Sequence, residues 1–201
     1  MEYDEFSNIY SDALPGLVRL KDRLDETLSK IVEPLAHIDR CQCRVKGAKS
    51  AYKKYVNKYA NHSSPLANFE DLVAARIIVF FTSDIPVVRT ALLDNFDRVE
   101  RTEKKPEFDD QFGYESEHLV FVVPPHLKPD TTAEFCPSTF ELQLRTILMH
   151  AYAEPQHDIL YKSSGEIPKT IRRRLAWIAA SCWGADREYE ELRRWSEAIG
   201  N

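Results

Sequence analysis

The chain has 201 residues, of which 43% are hydrophobic and 29% charged, and its formal net charge is −5. This length and composition favour a single globular domain over a disordered chain, and the negative charge excludes a surface that attracts nucleic acid as a whole. Since no apolar run reaches membrane-spanning length and the acidic N-terminus lacks the apolar core of a signal peptide, we expect a cytoplasmic protein that binds neither membranes nor DNA.

The spacing of apolar residues predicts two helices, followed by alternating strands and helices. The predicted helices are Pro15–His37, Ala51–Ala60, Ile85–Asn95, Ile147–Lys162 and Pro168–Ile199, and the predicted strands are Leu72–Phe81, Phe96–Thr102, His118–Val123 and Ser138–Arg145. This order predicts a single α/β (α+β) domain with one mixed sheet flanked by helices. We expect an N-terminal helical region at residues 1–40, a core at residues 41–165 and a C-terminal helix at residues 166–201.

A basic segment precedes the second predicted helix. Arg44 and Lys46 come before the helix, and Ser50 and Lys54 lie one turn apart on one of its faces. Free N–H groups at a helix start favour an anion, and lysine and arginine suit a polyphosphate. The segment is therefore a polyphosphate site or a solvated basic helix end.

The first predicted strand has Asp71 at its entrance and Arg76 in its apolar run. The two residues could form a structural ion pair. Alternatively, Asp71 could bind Mg²⁺, which favours one or two carboxylates together with substrate phosphate oxygens. The residues themselves leave both interpretations open.

A turn with an aromatic residue precedes the strand at His118. Gly113 permits a tight turn, and Tyr114 beside it offers an aromatic face on which a base could stack. Ser116 and His118 follow Tyr114 at two-residue spacing, so on an extended strand the three side chains point to the same side. The alternative is a hairpin turn with an ordinary core tyrosine.

The predicted strand Ser138–Arg145 has one apolar and one polar face. Side chains two residues apart share a face, so Glu141, Gln143 and Arg145 are expected to lie in a row. In such a row, Glu141 could bind a metal or act as a base, Gln143 could orient a neighbouring group by hydrogen bonding, and Arg145 could bind an anion. An ordinary solvated strand face has the same pattern. One side of the next helix is expected to form a second layer around this row, with His150, Glu154, His157, Asp158 and Tyr161.

Taken together and in this order, these motifs resemble the synthetase domain of the RelA/SpoT family, the alarmone synthetases. The matching residues are Arg44, Lys46, Ser50 and Lys54, then Asp71 and Arg76, then Gly113, Tyr114, Ser116 and His118, then Glu141, Gln143, Arg145 and Thr146, and finally His157, Tyr161 and Lys162. The span covers most of the chain. The resemblance implies a RelA/SpoT nucleotidyltransferase-like fold and transfer of the β,γ-pyrophosphate of ATP to a ribose 3′-hydroxyl.

The resemblance also implies a role for each motif residue. The expected ATP-binding residues are Arg44, Lys46, Ser50, Lys54 and Arg76. Asp71 and Glu141 would be catalytic and would bind Mg²⁺, and Glu141 would also help to deprotonate the 3′-hydroxyl. Tyr114 would stack on the acceptor base, and the other expected acceptor-binding residues are Ser116, His118, Gln143 and Arg145.

One departure from the family pattern bears on the acceptor. The alarmone synthetases that this chain resembles carry a basic residue shortly before the Gly-Tyr pair, where it meets the 5′-phosphates of GDP or GTP. Here Glu107, Asp109 and Asp110 occupy that stretch, and their charges would repel a diphosphate. We therefore expect the 3′-CCA end of tRNA as the acceptor, as in toxic small alarmone synthetases that are paired with an antitoxin.

A basic cluster at the start of the last predicted helix is consistent with an RNA acceptor. Arg172, Arg173 and Arg174 would hold the phosphates of the acceptor stem, unless they form a solvated helix face. One alternative function is an alarmone synthetase that uses GDP, GTP or an adenosine nucleotide. Another is a catalytically silent nucleotide- or RNA-binding module, against which the presence of both Asp71 and Glu141 argues.

Overall fold

Five strands build one mixed sheet. The computed structural model describes residues 1–62, 64–108, 111–129, 134–161 and 167–199. The strands are β1 (Ile38–Val45), β2 (Val73–Val79), β3 (Arg98–Lys104), β4 (Ser116–Val122) and β5 (Thr139–Thr146). Their order is β1-β2-β5-β4-β3, with β2 and β5 parallel and the other neighbours antiparallel. The predicted single domain with one mixed sheet is confirmed.

The helices are α1 (Tyr3–Val32), α2 (Ala48–Lys54), α3 (Asp84–Leu93), α4 (Ile147–Tyr161) and α5 (Lys169–Ile199). A π-helical turn at Tyr55–Tyr59 continues α2, and a short 3₁₀ helix lies at Pro125–Leu127. The prediction that the first helix begins near Pro15 is wrong, because that proline lies inside α1 and buried Phe6 and Tyr10 extend its apolar face toward the N-terminus. Among the described residues, no helix combines the length and the apolar character needed to cross a bilayer.

One strand, β1, was not predicted from the sequence. It forms an edge of the sheet, it pairs only with β2 among the described residues, and Cys43 is its one buried residue. A solvated edge strand carries mostly polar residues, so the alternation of apolar and polar residues that identifies a strand is not visible in its sequence. Arg44 therefore lies near the end of a strand rather than at a helix start. The expected division at residue 40 falls inside β1, and the three-segment division stays a prediction.

The apolar face of the sheet packs against α1. Leu17, Leu20, Leu24 and Leu28 of this helix are fully buried in the same core as the inward residues of the strands. The rings of Phe96, Phe121 and Phe140 belong to the same core and meet with centroids 5.3–5.6 Å apart. Because α1 covers this face, the alternating polar side chains of the strands lie on the opposite face.

Candidate active site

A row of polar side chains crosses the sheet on the face away from α1. In the strand register Gln42 is opposite Arg76, Arg76 is opposite Gln143, and Gln143 is opposite His118. Residues opposite each other in neighbouring strands share a face of the sheet. Four strands therefore contribute to one polar surface. The predicted row of Glu141, Gln143 and Arg145 lies along the strand at its centre.

A cavity of about 600 Å³ opens on this polar surface, beside α4. We call it the arginine cavity. The residues that line it are Arg44, Arg76, Tyr114, His118, Gln143, Arg145, Ala153, Glu154, Gln156, His157 and Leu160. An aromatic ring, an amide and several guanidinium groups in one cleft are suited to bases and ribose.

A second cavity of about 590 Å³ lies beside α2. We call it the lysine cavity. The residues that line it are Arg44, Val45, Lys46, Gly47, Ser50, Lys53, Lys54, Asn57, Lys58 and His157. Four ammonium groups and a hydroxyl around one cavity are suited to a polyphosphate. Arg44 and His157 line both cavities, so the two are neighbours.

Sequence reasoning missed several residues of the lysine cavity. Lys53, Asn57 and Lys58 were not among the expected site residues, yet they line the cavity with Ser50 and Lys54. The spacing from Lys54 to Lys58 was a usable signal, since residues four apart face the same side of a helix. The π-helical turn that carries Asn57 and Lys58 gave no signal in the sequence.

Asp71 lies directly before β2 and is held by two lysines. Its Oδ2 atom is 2.8 Å from Lys46 Nζ, and its Oδ1 atom is 2.9 Å from Lys54 Nζ. The Oδ1 atom is buried, and among the described residues it has this ion pair but no hydrogen bond of standard geometry. The alternative interpretation of Asp71 and Arg76 as an ion pair is therefore wrong. Asp71 is paired instead with two of the expected phosphate-binding lysines.

Glu141 is held by two neighbours on the same face. Its Oε1 atom is 2.7 Å from His118 Nδ1 and accepts a hydrogen bond of 3.1 Å from Gln143 Nε2. Burial opposes ionisation of the carboxyl group, but these two contacts outweigh it and lower the pKa of Glu141 to about 2. The side chain is therefore a carboxylate at every physiological pH.

Lys54 links the two carboxylates electrostatically. Burial opposes its charge, but the contact with Asp71 and the fields of nearby anionic groups, including Glu141, outweigh burial and raise the pKa of Lys54. Asp71 and Glu141, the two expected metal ligands, thus both raise the pKa of Lys54. Among the described residues, no group of three or more His, Cys, Asp or Glu side chains is placed to hold a metal ion. A divalent ion here would need additional ligands from a substrate.

A chain of contacts connects Glu141 with Tyr114 and Arg145. A carboxylate only accepts hydrogen bonds, so Nδ1 of His118 must carry the proton that it shares with Glu141. On the other side of the ring, His118 Nε2 is 3.2 Å from the Tyr114 hydroxyl. Arg145 Nη1 donates to that hydroxyl over 3.3 Å, and its guanidinium lies 5.5 Å from the ring centroid of Tyr114. The chain fixes the ring expected to stack on the acceptor base.

Arg76 and Arg145 are joined by a residue of α4. The Oε1 atom of Glu154 is 2.9 Å from Arg76 Nη1 and 2.9 Å from Arg145 Nη2. His150, also on α4, is 2.9 Å from Arg145 Nη2. The predicted second layer is therefore present for His150 and Glu154, and His157 lines both cavities.

Some expected site residues are not brought to these cavities. The Ser116 hydroxyl is buried and donates to the carbonyl oxygen of Leu144 over 3.2 Å, and it lines a third cavity of about 190 Å³. The cluster Arg172, Arg173 and Arg174 is exposed at the start of α5 and lines none of the described cavities. Asp109, Asp110, Lys162 and the side chain of Tyr161 lie outside the described residues.

Comparison with known proteins identifies the family and relatives of the same fold. A family model described as "Region found in RelA / SpoT proteins" matches residues 43–166. The GTP pyrophosphokinase YjbM of Bacillus subtilis (strain 168) is 28% identical over 197 residues, which are 96% of this chain and 89% of that protein. The crystal structure of small alarmone synthetase 1 from Bacillus subtilis has a TM-score of 0.76 at 25% identity and covers 97% of this chain and 99% of its own. The same synthetase bound to its product pppGpp has a TM-score of 0.73 at 26% identity, with coverage of 94% and 96%.

Proposed function

Because this chain belongs to the RelA/SpoT family and is a diphosphotransferase, we propose that it transfers the β,γ-pyrophosphate of ATP to the 3′-hydroxyl of a guanosine nucleotide. The observation that carries the proposal is the pair of adjoining cavities, one lined by lysines and one by arginines and Tyr114. Two of the comparisons favour GDP or GTP as the acceptor, since one match is a GTP pyrophosphokinase and the other is a synthetase structure bound to its product pppGpp.

The donor ATP fits the junction of the two cavities. Its triphosphate would lie in the lysine cavity, against Lys46, Ser50 and Lys54. Its adenine would lie between Arg44 and Arg76, whose planar guanidinium groups stack well on bases. Arg44 lines both cavities, and in this arrangement of ATP it would contact both the base and the phosphates.

Mg²⁺ is compatible with the carboxylates of the site. The buried Oδ1 atom of Asp71 lies 2.9 Å from Lys54 Nζ, and Asp71 and Glu141 both raise the pKa of that ammonium group. Mg²⁺ is commonly bound through one or two carboxylates plus phosphate oxygens. Asp71 and Glu141 would hold the ion, which would neutralise the charge that develops on the phosphoryl oxygens during transfer.

The reaction forms a bond between the acceptor 3′-oxygen and the β-phosphorus, and it breaks the bond between that phosphorus and the bridging oxygen retained by AMP. Such a transfer depends on in-line placement and charge stabilisation more than on a strong base. Glu141, with its pKa of about 2, would accept a hydrogen bond from the 3′-hydroxyl and orient it. As the new bond forms, the hydroxyl proton would pass to the Glu141 carboxylate and from there to solvent, while AMP would leave with the bridging oxygen in its phosphate group. His118 and Gln143 would hold the carboxylate in place.

The acceptor base would stack on Tyr114 in the arginine cavity. Arg145 and His118 fix the hydroxyl of this tyrosine, so the ring is positioned before a substrate arrives. Gln143 lies opposite both Arg76 and His118 in the sheet, between the expected donor and acceptor sides. It also donates to Glu141, so it would align the carboxylate with the ribose.

The 3′ end of a tRNA is the second candidate acceptor, and one observation favours it. A guanosine nucleotide brings 5′-phosphates that need cations, but Lys104 and Lys105 line the third cavity rather than the arginine cavity. A terminal adenosine of RNA presents no polyphosphate there. The exposed cluster Arg172, Arg173 and Arg174 would then contact the acceptor stem, and a toxin role with a protein antitoxin would follow.

One labelling experiment separates these candidates. The protein is incubated with Mg²⁺ and γ-labelled ATP in the presence of GDP, GTP, ATP or deacylated tRNA, and the labelled product is identified. We expect label on GDP or GTP. Label on tRNA with none on the free nucleotides would replace the main proposal by the second. A new labelled adenosine nucleotide that carries a 3′-pyrophosphate, separated from the donor ATP, would indicate an adenosine acceptor. If no acceptor took the label, a silent binding module would be the remaining interpretation.

A further inference from the structure

Glu154 is the one acidic residue among the described residues that line the arginine cavity. It lies on α4, outside the four strand and loop motifs, and its side chain is 51% exposed. One of its oxygen atoms contacts Arg76 and Arg145 over the same distance of 2.9 Å. The two arginines come from neighbouring parallel strands, so a residue of a third element bridges them.

The bridge opposes a repulsion within the site. Arg76 has its pKa lowered, first by burial and then by the positive charge of Arg145, while Glu154 acts in the opposite direction. Burial alone would raise the pKa of the Glu154 carboxyl group, but Arg76 and Arg145 have the larger effect and lower it. Without that carboxylate, two guanidinium groups would face each other with no counter-charge between them. Their side chains would then turn apart.

The bridged arginines belong to different halves of the site. Arg76 lies on the expected adenine side, and Arg145 fixes the Tyr114 ring on the expected acceptor side. We propose that Glu154 is a positioning residue that holds Arg76 and Arg145 in their substrate-binding positions, so that one side chain sets the affinity for both substrates. This inference rests on the proposed function, and it goes beyond it by assigning a role to a residue that touches neither reacting atom.

Two substitutions test the inference. Glu154→Gln removes the charge and keeps the shape, while Glu154→Asp keeps the charge but withdraws the carboxylate from a position where it reaches both arginines. We expect Glu154→Gln to weaken binding of α,β-methylene ATP and of GDP, each measured alone by calorimetry, roughly three- to tenfold. Glu154→Asp should weaken both by a smaller factor. Glu26→Gln, which removes an exposed ion pair with Lys30 on α1, is the matched control and should change neither affinity.

Kinetics and salt dependence distinguish positioning from other roles. In Glu154→Gln both KM values should rise, while kcat at saturating substrate stays within about threefold because Asp71 and Glu141 keep their neighbours. The loss of affinity should also shrink between 50 and 500 mM salt, roughly, since salt screens the repulsion between the arginines. A purely structural role would instead lower Tm without a salt-dependent change in affinity.

Several outcomes would overturn the inference. Tighter binding of the ATP analogue by Glu154→Gln would mean that the carboxylate acts only as a repulsive charge. A change confined to one substrate would make Glu154 a direct contact of that substrate, and a fall in kcat alone would place it in the chemical step. Because both affinities are measured without turnover, a wild-type protein that transfers no pyrophosphate would refute the proposed function and still leave this test valid.

Discussion

At the scale of single residues, Glu141 owes its charge to its neighbours. His118 and Gln143 contact the same oxygen and keep the pKa of the group at about 2. Glu141→Gln should retain binding of α,β-methylene ATP within about threefold, since the lysine cavity is unchanged. It should lower kcat by about 100-fold or more, because the amide cannot supply the negative charge that orients the hydroxyl. Calorimetry and label transfer measure the two quantities, and a near-normal kcat would remove Glu141 from the mechanism.

Asp186 on α5 is a buried acid away from the two main cavities. Its Oδ2 atom accepts a hydrogen bond of 2.7 Å from Thr146, while Oδ1 has no hydrogen bond to any residue that the structure describes. Burial raises its pKa from the ordinary 3.8 to about 6, and the charge of Glu115 adds to the rise. The folded protein therefore disfavours the ionised form. The resulting loss of stability is absent below about pH 4 and grows as the pH rises through 6.

The substitution Asp186→Asn tests this pH dependence. The amide oxygen can still accept from Thr146, and the buried charge is gone. At pH 8 we expect the variant to have a free energy of unfolding on the order of 1–3 kcal/mol above that of the wild type, with a smaller difference at pH 4.5. Urea unfolding at both pH values measures the difference. Asp12→Asn at the exposed position on α1 is the control, and a gain at pH 8 no larger than at pH 4.5 would contradict the argument.

At the scale of elements, the packing of α1 depends on a close approach at Gly16. A Cβ atom there would lie 2.0 Å from the carbonyl oxygen of Phe135, which is backbone and cannot rotate away. Gly16→Ala should therefore destabilise the protein by about 1–3 kcal/mol, although alanine favours a helix more than glycine does. We expect the Tm, followed by circular dichroism, to fall by several degrees.

Gly184 inside α5 is the matched control for this substitution. A Cβ atom at Gly184 would have nothing within 4 Å, so only the helix preference for alanine remains. Gly184→Ala should leave the free energy of unfolding unchanged or raise it by up to about 1 kcal/mol, so Tm should stay the same or rise slightly. If Gly16→Ala were as stable as Gly184→Ala, the segment at Phe135 would not pack against α1 as described.

At the scale of the whole molecule, we expect the fold to be independent of a metal ion, because the carboxylates of the site have partners within the protein. Asp71 is compensated by Lys46 and Lys54, and Glu141 by His118 and Gln143. A chelator should therefore abolish pyrophosphate transfer and shift the Tm of the nucleotide-free protein by less than about 1 °C. Differential scanning calorimetry and the labelling assay check the two statements. Restoring Mg²⁺ should restore transfer, whereas a large fall in Tm on chelation would indicate a structural ion.

Much of the architecture could be predicted because it depends on local pattern. Period-two alternation predicted the β5 strand and the shared face of Glu141, Gln143 and Arg145, and helical spacing predicted α3 and α4 with small errors at their ends. The segment of α1 before Pro15 and the strand β1 escaped prediction. The predicted helix began at Pro15, which lies inside α1, and the polar residues of the solvated edge strand gave no visible strand pattern.

The sequence by itself determined which side chains share a face, because alternation along a strand is a property of neighbouring residues. Only the tertiary structure decided the partners. It paired Asp71 with Lys46 and Lys54 rather than with Arg76, joined Arg76 and Arg145 through Glu154, and turned Ser116 toward a separate cavity. Ion pairs and strand pairings join residues that are far apart in the chain. Which residues meet therefore depends on how the helices pack on the sheet, and a local sequence pattern carries no information about that packing.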